Sequence, residues 1–85
     1  MTYNIDESVI ARSVDHYGEE IKATVCMKEC AELIQAISKE KRGKIDRDNM
    51  TEEIADVLIC IEMLKQMYMI SEDKINKWIE KKQAK

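Results

Sequence analysis

Thr51-Glu52-Glu53-Ile54-Ala55-Asp56-Val57-Leu58-Ile59-Cys60-Ile61-Glu62-Met63-Leu64-Lys65-Gln66-Met67 is the stretch that decides the fold. It holds neither glycine nor proline. Its apolar residues recur three and four apart, which is the period of a helix and not of a strand. At about 100° per residue, Ile54, Val57, Leu58, Ile61, Leu64 and Tyr68 fall within an arc of about 120°, an ordinary core stripe. Cys60, Met63 and Met67 form a second apolar stripe beside it. That leaves a narrow arc of Glu52, Ala55, Glu62 and Gln66 for solvent. Glu53 and Asp56 point into the second stripe and not into the polar arc.

Working outward, the pattern predicts this helix over about Met50 to Met69, where Asn49 followed by Glu52 has capping-box spacing. Upstream, a second long helix runs from about Glu19 to Lys41, with Lys39 to Asp48 as the loop between the two. Its main stripe is Cys26, Met27, Cys30, Leu33, Ile34 and Ile37, and its polar back is Thr24, Lys28, Ala31, Gln35 and Ser38. Glu29 and Glu32 lie at the flank, near Val25 and Ala36. A shorter helix precedes it over about Ile5 to Tyr17, with Asn4 and Glu7 as a capping box and Gly18 in the left-handed position past its end. A last short helix follows Ser71, whose hydroxyl caps it, and carries Ile75, Trp78 and Ile79 before fraying near Lys85. The expectation is one all-α domain over residues 1–85, with two long and two shorter helices in a bundle.

Composition agrees. The 85 residues include no proline, no phenylalanine and two glycines, with 36% charged and 5% aromatic side chains. Such a balance favours long helices over a sheet. A chain this short buries only roughly 60–65% of its unfolded surface when it folds alone. A disulfide, a metal or a partner subunit normally adds to such a core. Three cysteines make no disulfide framework. No leader-like apolar segment occurs between Met1 and Asp15, and no apolar run approaches the roughly 20 residues of a membrane span. The expected setting is cytoplasmic with reduced thiols. The net charge of −3 and pI of about 5.2 argue against a nucleic-acid binder. The basic residues Lys39, Lys41, Arg42, Lys44 and the tail Lys81, Lys82 and Lys85 read as solvated loop and helix-end charges.

Four carboxylates therefore stand out. Glu29 and Glu32 on one long helix, and Glu53 and Asp56 on the other, are i, i+3 pairs on surfaces that are otherwise apolar. Gathering them desolvates like charges, which is unfavourable unless something positive compensates. A divalent cation does so, and oxygen donors without His or Cys select a hard ion, Mg2+ first and Mn2+ second. Cys26 and Cys30 at i, i+4 have no histidine near them and read as packing. His16 sits at a helix end, where the dipole favours it. One histidine outside any Glu-x-x-His motif also argues against a di-iron bundle.

The pattern of Glu29-Cys30-Ala31-Glu32, a helix–loop–helix gap, then Glu53-Ile54-Ala55-Asp56 resembles the signature of MazG-type all-α nucleoside triphosphate pyrophosphohydrolases. The phrase EEIADVLICIEML is especially similar to small phage- and prophage-like single-domain members. His16-Tyr17-Gly18, Leu33 to Lys39, and Trp78-Ile79-Glu80-Lys81-Lys82 extend the resemblance over nearly the whole chain. Lys28 stands where the family often has a second glutamate, and Lys22 where it often has a glutamine, so base preference does not carry over. The chain also ends where many members continue into a basic tail.

The resemblance implies a homodimer or homotetramer that completes the bundle. It also implies hydrolysis of an NTP or dNTP to the monophosphate and pyrophosphate. Glu29, Glu32, Glu53 and Asp56 would then hold the metal, with Glu32 or Glu53 orienting or deprotonating the attacking water. Lys82 or Lys81 would meet phosphate, and the second apolar stripe would serve as subunit interface and as a wall for the base. Beside the resemblance, Met63, Met67 and Met69 read as packing residues, with Met63 and Met67 also candidates to line the nucleotide pocket, and Trp78 reads as a core or interface anchor. Two other readings stand beside this one: a non-enzymatic helical oligomerisation module, and a degenerate member that binds nucleotide without turnover.

Overall fold

Asp6, and not Asn4, starts the first helix. In a computed structural model that describes residues 3–84, Asp6 Oδ1 accepts from the backbone N–H groups of Ser8 at 3.0 Å and Val9 at 3.2 Å. The Ser8 hydroxyl donates to the same oxygen at 2.7 Å. Helix α1 accordingly runs Glu7–Tyr17, two residues shorter at its start than the periodicity predicts. The carboxylate prevails over the Asn4 amide because it is charged, at the positive end of the helix, and within reach of two orphan donors.

Gly18 separates α1 from α2 (Glu19–Lys41) at φ 90 and ψ 154, a positive φ with extended ψ in place of the expected left-handed helical turn. Its N–H donates to Val14 O at 2.7 Å and its carbonyl accepts from Lys22 N at 3.1 Å. One residue thus ends one helix and begins the next, a conformation open to a residue without a Cβ. Helix α2 has the boundaries that the sequence predicts.

At the end of α2, Lys44 N donates to Lys39 O at 2.9 Å and Gly43 N to Glu40 O at 3.1 Å, with Gly43 at φ 82. This is a Schellman stop, and Gly43 supplies its left-handed residue. The loop is Arg42 to Asp46, shorter than the predicted Lys39 to Asp48. Asp46 Oδ1 accepts from Asn49 N at 3.0 Å, so Asp46 and not Asn49 caps α3 (Arg47–Met67). An ion pair of 2.6 Å between Arg47 and Glu40 ties the two loop ends together. Helix α3 stops at Met67, before the predicted Met69. As expected, Ser71 caps α4 (Glu72–Gln83), its hydroxyl accepting from Lys74 N at 3.2 Å. Met1, Thr2 and Lys85 lie outside the described residues, and so does the fraying expected at Lys85. The described residues are all-helical, as the sequence predicts.

Helices α2 and α3 form an antiparallel hairpin, and α1 lies across both. The core is Ile10, Cys26, Cys60, Met63 and Met67, with Ile5, Val14, Ala23 and Leu64 packed against it. The Cys26 thiol lies 3.8 Å from both Cys60 O and Met63 Sδ. This inverts the expected order of the stripes on α3. The stripe of Cys60, Met63 and Met67 faces inward, while Ile54, Ile61 and Tyr68 of the expected core stripe are exposed. On α2, Cys26 and Ala36 are buried, whereas Cys30, Met27, Ile34 and Ile37 are exposed. Glu62 and Gln66, expected in solvent, are half-buried: Glu62 pairs with Lys65 at 2.9 Å, and Gln66 Nε2 donates to Glu7 O at 3.0 Å. Trp78 is no core anchor, being 58% exposed on a helix without a buried residue.

A four-carboxylate candidate metal centre

The hairpin register follows from side-chain size. Cys26, Ala36 and Cys60 are small, so α2 and α3 approach closely there, and the flanks beside these residues meet as well. Those flanks carry the acids. Glu29 and Glu32 from α2, and Glu53 and Asp56 from α3, each offer one oxygen, and these four atoms lie within 4.8 Å of one another. All four residues predicted as ligands are therefore brought together. Glu53 is buried at 8% exposure and the other three are half-buried.

Two oxygens of the cluster, Glu29 Oε2 and Glu53 Oε2, are buried without a hydrogen-bond partner. An unsatisfied buried acceptor is costly, and a bound cation is one of the groups that can relieve that cost. The pKa shifts agree with that strain. Burial, reinforced by Glu32 and Asp56, raises Glu29 above the ordinary carboxylate range. Burial together with the charges of Glu32 and Asp56 likewise raises Glu53. Among the described residues, no ion pair neutralises the group: Arg47 pairs with Glu40, and Lys65, the half-buried lysine of α3, with Glu62. The residues present thus fit a hard divalent ion in number, spacing and donor type.

A cavity of about 250 Å³ opens beside the cluster and includes Glu29 and Asp56 in its lining. Its walls come from α1, α2 and α3, among them Val9, Val25, Ile59 and Met63, with Lys22 also present. Met63 and Met67 both pack in the core as expected, and Met63 also lines this cavity while Met67 does not. The stripe of Cys60, Met63 and Met67 lies between the chain's own helices, so it is not free to be a subunit interface as the sequence reading expected. The sequence reading tied Lys22 to base preference only through the glutamine common at that position in the family; its place seven residues before Glu29, on the same face of α2, was a signal in the residues themselves.

Lys81 and Lys82 do not line the cavity. They sit on α4 with their ammonium groups 5.0 and 5.8 Å from the centroid of the Trp78 ring. His16 packs edge-on against Tyr17 at the end of α1. The three cysteines are free thiols, and burial pushes Cys60 up to about 12, so it is a packing residue and no thiolate ligand.

Fold and donor set define an all-helical chain with a four-carboxylate site suited to a divalent cation. The family model for the MazG nucleotide pyrophosphohydrolase domain matches residues 18–85, and the chain belongs to that family. Divalent-metal dependence is general there, in keeping with the acidic cluster. No curated protein and no solved structure gives a significant match. Among the described residues, no helix is long and apolar enough to cross a membrane.

Proposed function

We propose that the protein is a nucleoside triphosphate pyrophosphohydrolase that cleaves an NTP or dNTP to the monophosphate and pyrophosphate. The observation that carries this reading is the convergence of Glu29, Glu32, Glu53 and Asp56, with two of their oxygens buried and unpartnered, inside the matched domain. These four residues would hold Mg2+, with Mn2+ as substitute. When bound, the cation supplies positive charge to phosphate oxygens and makes nearby water more acidic.

The chain's own part is positioning and proton transfer. Water attacks the α-phosphorus, the bond from that phosphorus to the bridging oxygen breaks, and pyrophosphate leaves. Glu32 or Glu53 orients the water and accepts its proton. Lys82 and Lys81 would meet the leaving phosphates only from a second copy or after movement of α4.

Assembly belongs to the same reading. Met27 at 73% and Ile34 at 67% exposure border an apolar groove with Ala31 and Tyr68. A homodimer or homotetramer through this face completes the bundle, in the cytoplasm where nucleotide pools and reduced thiols meet.

The decisive experiment is pyrophosphate release from a panel of ribo- and deoxynucleoside triphosphates, with and without Mg2+, for the protein and for Glu53→Gln. Release should require Mg2+ and fall by roughly 100-fold or more in the variant, as for loss of a metal-site residue. If the folded protein releases nothing from any nucleotide, hydrolysis is excluded and nucleotide binding without turnover, or helical assembly alone, takes its place.

A further inference from the structure

Lys22 lines the cavity together with Glu29 and Asp56. Among the described residues that line this cavity it is the one cation. Lys22 and Glu29 stand on one face of α2 two turns apart, about 10 Å of helical rise. A nucleotide extended from its α-phosphate to the far edge of its base spans a comparable length. With the phosphates at the carboxylates, the base then lies between apolar walls, with its outer edge at Lys22. The volume of about 250 Å³ is just below the roughly 300 Å³ at which pockets for drug-sized ligands begin, enough for base and sugar with the phosphates outside.

Lys22 is half-buried and its position is constrained. Its backbone N–H donates to Gly18 O at 3.1 Å, and its Nζ lies 4.7 Å from the centroid of the Tyr17 ring. The ring covers part of the ammonium and leaves it other N–H groups. An ammonium has three donors and no acceptor, so a base edge that meets it must accept. Uracil and thymine present a carbonyl at O4, and guanine and hypoxanthine one at O6. Cytosine and adenine present an amino group at those positions, and donor would face donor. Ser13, also in the lining, has a hydroxyl that donates or accepts and so fits either class.

We infer that Lys22 selects the base, favouring nucleotides with a carbonyl at O4 of a pyrimidine or O6 of a purine over their amino counterparts. This rests on the reading above that the nucleotide's phosphates lie at the four carboxylates.

The test is calorimetric binding of deoxynucleoside monophosphates in Mg2+, which needs no turnover: dUMP against dCMP, and dIMP against dAMP, for the protein and for Lys22→Met. The carbonyl member of at least one pair should bind roughly tenfold or more tighter to the unaltered protein. The pair that shows the ratio tells a pyrimidine site from a purine site. Lys22→Met keeps the aliphatic stem, so it should erase the ratio while retaining the Mg2+-dependent rise in Tm. A ratio near one in the unaltered protein overturns the inference. So do an equal loss for all four ligands in Lys22→Met, which would place the ammonium on phosphate, and a failure of all four to bind. Pyrophosphate release without base discrimination sinks the role of Lys22 alone; discrimination in binding without release from any triphosphate sinks hydrolysis and leaves Lys22 standing.

Discussion

At the scale of single residues, Glu29 and Glu53 link the site to pH. Both have folded-state pKa values raised above the ordinary 4.5. A raised value means that folding favours the protonated form. The stability it contributes is fully present below the ordinary range and is lost as pH rises through the raised values. Metal reverses the slope, because the cation binds the ionised forms and stabilises only the folded state. Melting curves between pH 4.5 and 8 should therefore show two trends. In EDTA, Glu53→Gln should become the more stable protein as pH rises, relative to the unaltered chain. In Mg2+, the gain in Tm of the unaltered protein should grow over the same rise and stay small in the variant. A metal-independent Tm at pH 8 would contradict the assignment. The four acids were legible in the sequence because each pair is local, three residues apart on one helix. The place of Lys22 was not, because its cavity needs walls from three helices.

Among the elements, the end of α3 holds the one non-glycine residue at positive φ among those described: Met69, at φ 54 and 91% exposed. Ile70 N donates to Lys65 O at 3.0 Å, so the stop repeats the bond that closes α2, without its glycine. A left-handed non-glycine residue costs about 1–2 kcal/mol. Met69→Gly should stabilise the fold by about 1 kcal/mol and raise Tm by roughly 4–8 °C for a chain of this size. A calorimetric scan that shows no increase would mean that Met69 gains from contacts outside the chain what its backbone loses. Helix existence and type were legible throughout, since periodicity is local. The caps at Asp6 and Asp46 were missed because Asn-x-x-Glu matches a familiar template, while the choice among nearby acceptors depends on backbone geometry. Which α3 stripe faces inward was not legible either. It depends on which face of α2 is thin enough to be approached, and small Cys26 and Ala36 decide that.

On the scale of the whole molecule, one copy looks incomplete. The radius of gyration is 14.7 Å, against about 12 Å expected for a compact chain of this length. Among the described residues no large side chain is fully buried, and α4 buries none of its residues. The exposed Met27 and Ile34 are the surface that the homo-oligomer proposed above would cover. Ile34→Asp should turn the assembly into monomers by light scattering across protein concentrations. Its Tm should fall and cease to depend on concentration. An unaltered mass in Ile34→Asp, with unchanged Tm, would place the interface elsewhere. Sequence reasoning expected a bundle completed by other copies through the Cys60, Met63 and Met67 stripe of α3, and that stripe is buried among the chain's own helices.

The tight loop from Arg42 to Asp46, pinned by the Arg47–Glu40 ion pair, bears on how quickly the chain finds its fold. All four acids belong to the single hairpin that this loop closes, so zipping the hairpin brings like charges together whether or not α1 and α4 have docked. Short closure favours early formation, while mutual repulsion opposes it. The acid cluster should thus act as a brake on closing a hairpin that topology would otherwise make fast. Mg2+ should release that brake and steepen recovery from denaturant, raising the refolding rate as well as slowing unfolding. Stopped-flow refolding in EDTA and in Mg2+ separates the two: a cation effect confined to unfolding would mean that the carboxylates meet only after the rate-limiting step.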